Sequence, residues 1–132
     1  MLKRFIQWLE SHALYVLADP RDNSITLSRG LYRRIRPILK DRADVFVFRT
    51  NDSGFYGFMV NPPIHSPTVM GTIQYNDRHK CIGFESLCPT VNRIAYDYGL
   101  PPEAVSKLAV KTLRTHGQTC YLIPKPHYAK HT

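Results

Sequence analysis

Long apolar runs are missing from this sequence. No stretch approaches the ~20 consecutive apolar residues that a bilayer-spanning helix needs, so no membrane span is expected. The first residues, Met1-Leu2-Lys3-Arg4-Phe5-Ile6-Gln7-Trp8-Leu9-Glu10, run from basic to apolar. Gln7, Glu10 and His12 interrupt that stretch and no small-residue cleavage site follows, so a secretory leader is not expected either. Cysteine is sparse: Cys81, Cys88 and Cys120 are an odd number without dense spacing, which argues against a secreted disulfide framework. A reducing cytoplasm is the expected compartment.

Signatures of cofactor chemistry are missing too. There is no P-loop, Gly-rich dinucleotide turn, nucleophile elbow or His-Glu-x-x-His. No cofactor is expected. Cys81 and Cys88 are spaced more widely than the paired ligands of a zinc knuckle, and His79, His116 and Cys120 do not complete one, so no metal is expected. The carboxylates Asp41, Asp44 and Asp52 are too scattered for a metal-nuclease cluster.

Acidic residues are few, and this is the deficit with most to say about function. Asp plus Glu total 10 against 18 Lys plus Arg, a formal net charge of +8. Such a surface attracts polyanions, of which DNA or RNA is the commonest. What is present otherwise is an ordinary globular composition: 132 residues, 43% hydrophobic, with six Phe and eight Tyr, sufficient for one domain with its own core. The tail from about residue 124 is polar and basic.

Periodicity predicts an α+β fold. Leu2, Phe5, Ile6, Leu9, Ala13 and Val16 follow the three-four spacing of a helix over 2–17. The turn formers of 19–23 end it, and Ser24–Ser28 alternates as a strand. Ser28 caps a second helix with Leu31, Ile35 and Leu39 on one face and Arg29, Arg33, Arg36 and Lys40 on another, stopped or kinked at Pro37. A β-meander follows: Asp44–Arg49, a turn at 51–54, Phe55–Val60, then strands over 68–75 and 81–86. Thr90 caps a helix that buries Val91, Ile94, Ala95 and Tyr98 and ends at Gly99. Val105, Leu108, Ala109 and Thr112 predict a second helix, and 119–123 a closing strand. The expected architecture is one antiparallel sheet of about four to six strands, with an N-terminal helix and a C-terminal helix pair on one face.

The segment Thr90–Lys111 resembles the helix-turn-helix motif of DNA-binding proteins. Ala95 stands where that motif needs a small residue, Gly99 where it turns, and Tyr98, Leu100, Val105 and Leu108 where it is apolar. The resemblance implies a second helix facing DNA through Glu103, Ser106, Lys107 and Lys111, with Arg114 near phosphate. An ordinary structural helix pair meets the same offsets.

The sequence therefore points first to a non-enzymatic binding module for nucleic acid or another polyanion. Its expected contacts are Arg29, Arg33, Arg36, Lys40, Ser106, Lys107, Lys111 and Arg114. A protein-interaction or scaffold domain with a patch around Phe55, Tyr56 and Phe58 is the alternative. A small hydrolase or nuclease using His65 and His79 is the third reading.

Overall fold

A computed structural model of the chain describes residues 2, 4, 13–39, 42–62, 71–76, 81–87, 89–115 and 117–126. The fold is mixed α/β; among the described residues it has two antiparallel sheets and two short α-helices. The strands are β1 (Tyr15–Asp19), β2 (Ser24–Leu27), β3 (Asp44–Arg49), β4 (Tyr56–Val60), β5 (Gly71–Thr72), β6 (Gln74–Asn76), β7 (Cys81–Glu85), β8 (Ser106–Ala109), β9 (Lys111–Thr115) and β10 (Gln118–Ile123). Helix α1 (Arg29–Ile35) runs into a 3-10 turn at Arg36–Ile38, and α2 spans Val91–Tyr98.

One sheet has the order β6-β7-β2-β1-β8 and the other β5-β3-β4-β10-β9. The chain changes sheets directly at two places. Ile73 alone separates β5 from β6, and Val110 alone separates β8 from β9. Both residues are buried, and their amides donate to Ala43 and Leu14 carbonyls at 2.8 and 3.0 Å. Bent strands of this kind form the corners of orthogonally packed sheets. Followed from neighbour to neighbour, the strands make a closed circuit, which leaves the two sheets facing one another across a single apolar cluster.

Phe58 of β4 sits at the centre of that cluster. Its ring lies 5.3 Å from Phe84 of the opposite sheet and 5.2 Å from Tyr121 of its own. Leu31 and Ile35 bring α1 into the cluster, and Val91, Ile94, Ala95 and Tyr98 bring in α2.

Local signals explain the elements that match expectation. The Ser28 hydroxyl accepts from Leu31 N at 3.2 Å and caps α1. Pro37 lacks the donor that would continue the α-helix, and the chain tightens to the 3-10 turn there. Thr90 caps α2, and Gly99, at φ 68°, closes it in the left-handed conformation that favours glycine. The β3–β4 hairpin lies as expected, with Val47 opposite Phe58.

Four expectations are corrected. First, Leu2 and Arg4 have helical backbone, but the predicted N-terminal helix does not extend to residue 17, because Tyr15–Asp19 is β1. Residues 5–12 of that prediction lie outside the described residues. Val16 and Ala18, two apart, are the buried pair, and the turn at 19–23 joins two strands with Asn23 at φ 57°. Second, the single meander is two sheets, since β3 and β4 lie in one and β7 in the other. Third, there is no C-terminal helix pair. Residues 106–109 and 111–115 are β8 and β9, so α2 has no second helix and the helix-turn-helix resemblance fails. Pro101 and Pro102 lack amide donors, and burial alternates through Ser106, Leu108 and Val110 with period two. The expected interaction patch is also absent: Tyr56 and Phe58 are 4% and 1% exposed.

Candidate polyanion-binding site

The site is built from two segments remote in sequence. Helix α1 carries Arg29, Arg33 and Arg34, all exposed, and the 3-10 turn after it adds exposed Arg36 and brings Ile38 to the surface at 36% exposure. Strand β9 is the edge of its sheet, paired only with β10, and all five of its residues are exposed. Its register sets Thr112 opposite Tyr121 and Arg114 opposite Thr119. Residues two apart share a sheet face, so these pairs line the face that continues from the Tyr121–Phe58 contact.

Together these segments enclose an open cleft of about 460 Å³, lined by Arg34, Ile38, Thr112, Leu113, Arg114, Thr119 and Tyr121. Tyr121 forms its buried end. Burial pushes the Tyr121 phenol above its ordinary pKa, while the nearby Arg34 charge pulls the other way. The Arg114 guanidinium donates to Thr119 Oγ1 at 3.4 Å. Among the described residues no carboxylate lines the cleft, and neither Arg34 nor Arg114 forms a salt bridge. Two guanidinium groups beside two threonine hydroxyls make a pocket of donors.

A second basic cluster already holds a carboxylate. Tyr56 Oη donates to Asp97 Oδ2 at 2.5 Å, and Arg93 and Arg49 approach the same oxygen at 3.4 and 3.9 Å. The Tyr56 hydrogen bond, aided by both arginine charges against desolvation, holds Asp97 below its usual carboxylate range. Arg49 and Tyr56 thus fasten α2 to β3 and β4 through Asp97, and Arg93 supports the carboxylate from within the helix. A depressed folded-state pKa contributes stability that is complete above the unfolded value near ~4 and is lost as pH falls through the folded value. Asp97→Asn should therefore unfold more easily than wild type at pH 7, with the difference shrinking as pH drops below ~4. Urea titrations at several pH values measure this. A difference that stays constant from pH 7 to pH 2 would show that the carboxylate charge does not fasten the helix.

The residues expected from sequence are dispersed. Arg114 lines the cleft. Arg29, Arg33 and Arg36 are exposed on the neighbouring helix and turn without lining it, and Lys40 lies outside the described residues. Ser106 is buried at the start of β8. Lys107 sits 4.2 Å above the Tyr15 ring on the other sheet, and Lys111 is exposed at the start of β9. Arg34 was not expected. It stands between the buried Leu31 and Ile35 and so flanks the apolar face of α1, where a long side chain can cover apolar surface and still present its charge.

Every histidine, including His65 and His79, lies outside the described residues, as do Cys88 and the Cys81 side chain. Cys120 is buried, and burial raises its thiol pKa, which disfavours the thiolate that nucleophilic or metal chemistry requires. Compared with protein-family models, curated proteins and solved structures, the chain matches none.

Proposed function

We propose that this chain is a non-enzymatic binding module for nucleic acid or another polyanion, with the cleft between α1 and the β9–β10 hairpin as its contact site. One observation carries the proposal: Arg34 and Arg114, from separate elements, line one cleft, and none of the described residues lining it is a carboxylate. The excess of basic residues, 18 against 10, supports it by raising the local concentration of anions around the cleft. Exposed Arg29, Arg33 and Arg36 add charge on the adjoining surface.

Fluorescence anisotropy of labelled single- and double-stranded DNA and RNA tests this at low and near-physiological salt. The expected result is micromolar binding that weakens steeply as salt rises. Reversing both cleft charges in an R34E/R114E variant should weaken binding by about 100-fold, near 1.4 kcal/mol for each arginine. An R29E/R33E variant, with the same charge change outside the cleft, should lose several-fold less. Equal losses would assign binding to net charge and not to the cleft. No binding at low salt would end the polyanion proposal.

A further inference from the structure

The cleft differs from a track for a continuous phosphate backbone. Its seven lining residues enclose about 460 Å³, within the ~300–1,000 Å³ of small-molecule sites. The arginines that would extend a track along α1, Arg29 and Arg33, do not line it. Its two guanidinium groups, which form no salt bridge among the described residues, supply two positive charges. An internal phosphodiester carries one negative charge, whereas a phosphomonoester carries about −1.5 to −2 at neutral pH and offers three terminal oxygens. Guanidinium forks match those oxygens, and the Thr112 and Thr119 hydroxyls add neutral donors on facing strands. Beside the donors stands Ile38, 36% exposed, an apolar side chain that a planar ring would cover.

On the strength of the polyanion reading, we propose that the cleft takes the phosphomonoester of a nucleotide, free or at the end of a strand. Arg34 and Arg114 hold the phosphate, and Ile38 flanks the nucleotide's ring.

The test uses the full chain and single-stranded oligonucleotides of one sequence carrying a 5′-phosphate, a 3′-phosphate or hydroxyl groups at both ends. A nucleoside monophosphate and its parent nucleoside serve as competitors. A phosphorylated end should bind about tenfold or more tightly than the hydroxyl-ended strand. R34Q and R114Q should each abolish that preference; both side chains are exposed, so the variants should keep the wild-type circular dichroism spectrum. Displacement by the monophosphate and not by the nucleoside assigns the cleft to a free nucleotide. End preference without displacement assigns it to a strand end. Equal, salt-sensitive binding of all three strands overturns the monoester inference and leaves the polyanion proposal standing. No binding of any probe at low salt overturns both.

Discussion

Replacing Gly83 with alanine is expected to cost about 3 kcal/mol of stability, a large share of the ~5–15 kcal/mol typical of a domain. Gly83 lies in β7 with Thr26 of β2 on one side and Gln74 of β6 on the other. A Cβ at this position would fall on the Ile25 carbonyl oxygen, 2.9 Å from Thr26 Cα and 3.1 Å from the Ile25 carbonyl carbon. All three atoms are backbone, so no side-chain rotation relieves the overlap. β2 itself must move, and with it Ile25, a core residue only 1% exposed. Gly117 provides the control. A Cβ there meets nothing within 4 Å, and its substitution costs only the left-handed backbone at φ 75°, about 1 kcal/mol. Urea unfolding of the two alanine variants should separate them by about 2 kcal/mol. Equal midpoints would mean that β2 and β7 do not approach as closely as described.

The legible parts of this fold are those set by nearby residues. Ser28 and Thr90 signal their caps, Gly99 its left-handed stop, and Pro37 the end of α1, each within a few positions. Residues 105–115 were not legible because two periods overlap in them. Val105, Leu108 and Thr112 satisfy helical spacing, while Ser106, Leu108 and Val110 satisfy strand spacing and are the residues buried. Partners decide between the two: β1 pairs with β8 and β10 with β9. Neither Ile73 nor Val110, where the chain changes sheets, is itself a glycine or proline. Buried β-branched residues there look like any strand interior.

The cleft was hidden for a related reason. It joins residues 34–38 to residues 112–121, and no local pattern records that meeting. The basic character of α1 was visible, but a helical wheel favours the arginines farthest from the apolar stripe. Arg34 reaches the cleft because it flanks that stripe, where β9 passes. Arg49 shows the converse: the fold commits this exposed arginine of β3 to Asp97.

Tyr98→Phe should cost about 2–4 kcal/mol, although it removes a single oxygen. The phenyl ring keeps the packing of the tyrosine, including its contact with the Tyr56 ring at 5.7 Å. What disappears is a hydroxyl that accepts from Tyr56 N at 2.7 Å and donates to the Ile123 carbonyl. Those backbone groups belong to facing positions of β4 and β10, so the hydroxyl ties α2 to the end of that pairing. With Tyr98 1% exposed, water does not replace it. Each buried orphan costs about 1–3 kcal/mol. Burial pushes the Tyr98 phenol up to about 12, against ~10 when unfolded. An acid whose folded-state pKa is raised loses stability as pH climbs from the unfolded value toward the folded one. The wild type should therefore weaken between pH 10 and pH 12, and Tyr98→Phe should weaken less over that range; Tyr56 and Tyr121, also raised by burial, contribute equally to both proteins. The gap between the two proteins should be widest at neutral pH and narrow toward pH 12. A Phe variant as stable as wild type at pH 7 would remove the hydroxyl from the account of how α2 is held. A gap of constant size would trace the loss to altered packing and not to the two hydrogen bonds.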